Sequence, residues 1–157
     1  MNLAAASVLP LKRYAEFGGR STRRELLAFC VLVIAANLVI GLFGVAIGLK
    51  AQQGALTGLS LFLACPMLAL AVRRLHDNGR SGWWLLLAAP AAVAAGWEFF
   101  ARPGPWALPT HLTFPWWVDV PLGLCGAALA VLLLLDDDHE ANEYGPNPRY
   151  LPVGEPA

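Results

Sequence analysis

The chain has 157 residues, a length that fits a single domain. Apolar residues make up 57% of it and charged residues 14%, against roughly 45–50% and about 25% in soluble domains. That shift argues against a soluble globular fold and for a membrane protein. The formal net charge is zero, so no global basic field points to nucleic acid, and none is expected as a partner.

The start, MNLAAASVLPL, has no basic n-region, and its apolar part ends at Lys12-Arg13. No secretory signal peptide is predicted there. The segment 1–25 is expected to be a cytoplasmic N-terminal extension. Its last part, FGGRSTRRE at 17–25, holds a T-x-x-E capping box in Thr22 and Glu25, which places the start of a helix.

Four apolar runs approach the ~20 residues that cross a bilayer: 26–49, 54–72, 83–101 and 116–135. They are continuously apolar, not alternating, and lipid admits only helices or closed barrels. The expectation is an all-α, polytopic membrane protein with a four-helix transmembrane domain over 26–135. Pro66, Pro90 and Pro121 each remove a backbone donor and are expected to kink their helices. The stretch 50–53 is expected to be a short external turn, and 102–115 an external Pro-rich loop. Gly41, Gly44 and Gly48 share a helix side, and the Gly44/Gly48 face offers a route to homo-oligomers; packing inside the bundle is the other use of such small residues.

Orientation follows the basic residues. Lys12, Arg13, Arg20, Arg23, Arg24, Arg73, Arg74, Arg80 and Arg149 fall on one side, and only Lys50 and Arg102 on the other. Both termini are therefore expected in the cytoplasm, including a tail at 136–157.

The loop between the second and third runs is RRLHDNGRSGWW, 73–84. Arg73, Arg74 and His76 suit a helix C-terminus. Asp77 is spaced to pair with Arg73 or Arg74. Asn78-Gly79 turns the chain, with Gly79 free to be left-handed. Ser81 is placed to cap the next helix, and Trp83 and Trp84 to lie at the inner interface. His76 reads as an exposed histidine at a helix end. No acid–base pairing accompanies it, so no catalytic residue is predicted.

Cys30, Cys65 and Cys125 lie apart in apolar runs and read as small buried hydrophobes. The acidic DDDHE at 136–140 matches no zinc or EF-hand spacing and reads as solvated; no metal or cofactor is expected. NEYGPNP, 142–148, is turn-rich and should fold back. Glu98 and Asp119 interrupt otherwise uncharged runs, and intramembrane acids mark candidate ion or proton paths.

Three motifs, FGGRSTRRE (17–25), RRLHDNGRSGWW (73–84) and NEYGPNP (142–148), together resemble the DUF805 family of bacterial inner-membrane proteins, whose molecular function is not established. The resemblance spans 17–148. The chain departs from it at Leu26-Leu27, where an aromatic often follows the first motif's acid, and at Ala141, where a Gly often precedes the last motif. The resemblance implies a small, multi-spanning helical protein of the inner membrane and supplies no catalytic residues.

The functional expectation is a cytoplasmic rim of Arg20, Arg23, Arg24, Arg73, Arg74, His76, Asp77, Arg80, Trp83 and Trp84 that binds anionic phospholipid headgroups or a protein partner, without enzymatic chemistry. The alternative is a small transporter or channel subunit using Glu98 and Asp119.

Overall fold

The structure, a computed structural model, describes residues 3–101, 116–135 and 140–147. In chain order its elements are α1 (Leu3–Lys12), α2 (Arg23–Ile47), α3 (Leu49–Asp77), a 3-10 segment (Gly82–Ala88), α4 (Ala89–Ala101) and α5 (Trp116–Leu134). No strand occurs among the described residues; a lone antiparallel bridge joins Asn142 to Gly145. The expected loop 102–115 and the acids at 136–138 lie outside the described residues.

α2 and α3 are the two described helices long and apolar enough to cross a membrane. At a rise of about 1.5 Å per residue, the 29 residues of α3 extend roughly 43 Å, well beyond a ~30 Å hydrocarbon core. α5, and the 3-10 segment with the start of α4, are apolar but shorter.

The reversal between α2 and α3 is tighter than the sequence implies. Residues 50–53 are not a turn but the first turn of α3. Gly48 alone makes the break, with φ of 93°, a conformation that L side chains avoid. Gln52 then folds onto α2, where its Nε2 donates to Gly41 O at 3.0 Å. A Cβ at Gly44 would overlap the Gln52 side chain. The Gly44 face is thus filled from within the chain.

The third apolar run divides. It begins as a 3-10 segment and becomes α4 only at Ala89. Pro90 has no N–H to offer Leu86 O. Ala89 N donates to that carbonyl instead, one residue short of α spacing. Ser81 stands at the expected cap position, but its side chain makes no capping bond. Glycine suits position 82, where a Cβ would press on Val72 Cγ1 at 3.1 Å. The short N-terminal helix α1 has no counterpart among the predicted elements. It packs chiefly along α2, with Ala6 and Pro10 buried.

The apolar core is small: Leu26, Phe29, Leu63 and Leu70, flanked by Leu11, Cys30, Met67 and Leu133. Much of the outer surface is apolar instead. Val31, Ile34, Leu38 and Phe43 on α2 are all more than half exposed. Exposed apolar area of this extent marks a surface meant for lipid or protein rather than water.

Candidate functional site

At the end of the molecule opposite Gly48, the core becomes ionic. Arg20, Ser21, Glu25, Arg73, Arg74 and Asp77 are all buried, and Arg73 and Arg74 have no solvent exposure at all. Burying an isolated charge is very costly, so each must be paired or solvated by dipoles.

The N-terminus of α2 is built as its sequence implies. Thr22 Oγ1 accepts from Glu25 N at 3.3 Å. The Glu25 carboxylate, however, faces α3, where Arg73 Nη1 donates to Oε1 at 3.4 Å. Ser21 joins the same helices, its N donating to Arg73 O at 3.3 Å and its Oγ to Leu70 O at 3.4 Å. Burial pushes the Glu25 carboxyl up and the Arg73 guanidinium down, each opposed by the other's charge. Arg73 Nη2 is buried without a hydrogen-bond partner.

Asp77 is the junction. It accepts from Arg20 Nε at 2.7 Å through Oδ1 and from Arg74 Nη1 through Oδ2. Of the two pairings open in the sequence, Arg74 takes it, and Arg73 goes to Glu25. Behind Asp77, α3 ends in a Schellman motif: Gly79 N donates to His76 O at 3.0 Å and Arg80 N to Leu75 O at 2.9 Å. Gly79 has the expected positive φ, 65°.

Three buried guanidinium groups face two carboxylates here, and backbone carbonyls make up the difference. The last carbonyls of a helix lack internal partners and carry the negative end of its dipole. α5 has no basic residue in its last turn, so other elements supply the donors. Arg74 Nε reaches Leu133 O at 2.9 Å and its Nη2 reaches Leu135 O. Arg23 Nε meets Leu135 O at 3.0 Å, and Asn78 Nδ2 meets Leu132 O at 2.6 Å.

The tail closes over this cluster. Asn142 and Gly145 exchange backbone bonds, and Tyr144 N donates to Asn142 Oδ1 at 3.0 Å, which makes the expected fold-back turn. Arg20 Nη1 donates to Glu140 O at 2.8 Å, and Asn142 Nδ2 to His76 O at 2.8 Å. The His76 and Tyr144 rings stack at 4.0 Å with an interplanar angle of 4°. His76 is therefore not the exposed side chain read from the sequence. Its Nδ1 lies 3.3 Å from Gly19 O.

Burial holds His76 below the ordinary imidazole range, against smaller opposing effects of the Gly19 carbonyl and Glu143. With its folded pKa below its unfolded one, the neutral ring contributes stability above about pH 6.5 and loses it as pH falls through that range. Amide protection factors over 140–147, which divide out the intrinsic pH dependence of exchange, are expected to fall between about pH 7.5 and 5.5. In His76→Gln that pH dependence should be absent.

Not every predicted site residue joins the cluster. Arg24 is exposed, and Arg80 is half-buried with its guanidinium carbon 5.1 Å above the Trp84 ring centroid. Trp83 is 77% exposed and Trp84 43%. These two, with Leu86 and Leu87, line an open recess of about 360 Å³. Asp119 is exposed on the first turn of α5, and the Glu98 side chain lies outside the described residues. Sequence reasoning missed Glu25 and Ser21 as cluster members. The signal lies in motif 17–25, where the spacing assigns a capping box to Thr22 and Glu25 and gives Ser21 no role.

Three segments far apart in sequence thus converge at one end of α2, α3 and α5, and a family profile described as "Protein of unknown function (DUF805)" matches residues 14–146, which takes in the first two motifs and the third as far as Pro146. The chain belongs to the DUF805 family. Over 78 residues it is 41% identical to "Inner membrane protein YhaI" of Escherichia coli K12, covering 49% of this chain and 64% of that protein. Over 82 residues it is 40% identical to "Inner membrane protein YhaH" of the same organism, covering 49% of this chain and 66% of that protein. The match spans less than two thirds of either relative. No solved structure matches. For this DUF805 chain, the Arg20–Asp77–Arg74 junction gives the family-like motifs a physical role: each contributes a partner to the same buried cluster.

Proposed function

We propose that this is a multi-pass inner-membrane protein, N-in and C-in, that binds anionic phospholipid at its cytoplasmic face without catalysing a reaction. Its domains are then a membrane region over 26–135, with four passes near 26–49, 54–72, 83–101 and 116–135, and cytoplasmic segments on either side. The lopsided distribution of Lys and Arg supports the orientation, as does the meeting of segments 17–25, 73–84 and 142–147 at one end of the molecule.

Within the predicted rim, burial divides the labour. Arg20, Arg73, Arg74 and Asp77 hold helices to one another and are not available to headgroups. Arg24, Arg80, Trp83 and Trp84 remain at the surface. The observation that carries the reading is Arg80 held over Trp84 beside the exposed Trp83 and the recess. A cation over an indole face is preoriented, and tryptophan favours the headgroup level. A headgroup phosphate would meet Arg80, and the upper acyl chain would lie on Trp83, Leu86 and Leu87.

A basic residue near an anionic surface contributes about 1 kcal/mol. Arg80→Gln is therefore expected to lower retention of phosphatidylglycerol roughly fivefold, with phosphatidylcholine unaffected, as read by native mass spectrometry. An unchanged lipid preference in Arg80→Gln with Trp84→Ala would sink the reading. Because Arg80 lies outside the buried cluster, the fold should survive the change.

A further inference from the structure

The N-terminal helix packs at a depth that a cytoplasmic segment would not reach. Tyr14 Oη donates to Phe62 O at 2.6 Å, and Cys65 Sγ lies 3.5 Å from Tyr14 O. The Tyr14 and Phe62 rings sit 5.4 Å apart. Leu11 packs against the apolar core that holds Phe29 and Leu63. Phe62 and Cys65 lie well inside the apolar run 54–72. Sliding a ~30 Å slab outward to the start of α3 at Leu49 moves its inner edge only to about residue 69. Both residues stay within it.

The Tyr14 bond also has a specific reason. In a helix, Phe62 O accepts from the N–H of residue 66. That residue is Pro66, which has none, so the proline frees this carbonyl in the middle of α3. An unsatisfied carbonyl in hydrocarbon costs several kcal/mol, and breaks in membrane helices persist where a neighbour supplies the donor. Tyr14 is that donor. Arg13 and Glu16 pair with each other at 3.2 Å, within electrostatic reach of the Glu25–Arg73 pair. Meanwhile α1 leaves Leu3 69% and Val8 41% exposed, with Ala6 and Pro10 turned inward.

We propose that, within the N-terminal segment otherwise assigned to the cytoplasm, residues 3–14 instead form a re-entrant element that enters the bilayer from the cytoplasmic side, with Leu3 and Val8 against lipid acyl chains and Tyr14 completing the Pro66 break in α3. This rests on α2 and α3 spanning the membrane, and the test separates the two. In proteoliposomes, nitroxide labels are placed at Val8→Cys, Val31→Cys or Gly18→Cys in a chain whose Cys30, Cys65 and Cys125 are alanine. Val31 is exposed on α2, and Gly18 is exposed with open space around it.

Val8 and Val31 are expected to be open to oxygen and closed to an aqueous nickel chelate, with an oxygen-to-chelate ratio severalfold above that at Gly18. Chelate access at Val8, or exclusion of both quenchers there, overturns the proposal while Val31 still reports lipid. Chelate access at Val31 overturns the membrane placement itself and the proposal with it. Should the cysteine-free chain not fold, a diazirine amino acid at Leu3 in the otherwise native protein reads the same contact. Phospholipid adducts at Leu3, as at Val31, are expected; adducts at Val31 alone overturn the proposal.

Discussion

Asp77→Asn is expected to destabilise the protein by about 3–5 kcal/mol, the range for breaking a buried ion pair by removing one partner. Two guanidinium groups, Arg20 and Arg74, converge on this carboxylate, and all three side chains are essentially without solvent. Asparagine keeps the shape but removes the charge, and its amide would point donors at donors. The chain ends at Arg20 and Arg74 have no water to retreat into. Denaturation in detergent micelles, followed by tryptophan fluorescence, measures the loss. A shift under about 1 kcal/mol would show that water reaches the cluster and screens it.

Arg20→Met should cost a similar amount and read out differently. Arg20 binds Asp77 with Nε and Nη2 and the tail carbonyls of Glu140 and Gly145 with Nη1. Methionine retains much of the packing volume and none of the donors. The tail then loses both Arg20 bonds, while the Asn142–His76 bond and the His76–Tyr144 stack remain, so proteolysis within 140–147 should accelerate by an order of magnitude or more. Asp77→Asn leaves those Arg20–tail bonds in place and should release the tail less. Because the two residues touch, their double mutant should fall short of the sum by about 0.5–3 kcal/mol. Strict additivity would mean that the 2.7 Å contact contributes nothing.

The motif RRLHDNGRSGWW shows how far one-dimensional reasoning reaches. Its local chemistry was legible: Gly79 as the left-handed cap and Asp77 as a partner for an arginine on the same helix; so was the separate fold-back turn of NEYGPNP. These depend on residues within a few positions, where spacing dictates geometry. The sequence also separates Arg73 from Arg74 by nothing at all. Which of them binds Asp77 depends on where α2 and α5 present Glu25 and Leu133, contacts that cross 48 and 59 positions. Likewise the lone-histidine reading of His76 fails because its stacking partner, Tyr144, stands 68 positions away.

The sequence by itself determined that the chain is helical and apolar enough for a membrane, and that Thr22 caps the start of α2. Composition and local capping suffice for these. Only the tertiary structure decided that Arg20, Arg73 and Arg74 are interior groups rather than a cationic surface. A guanidinium looks the same in sequence whether it meets water or a buried carboxylate; its environment is set by the elements packed around it. For the same reason Pro66 reads as a helix break in sequence, and only the fold brings Tyr14 to the carbonyl that the proline leaves free.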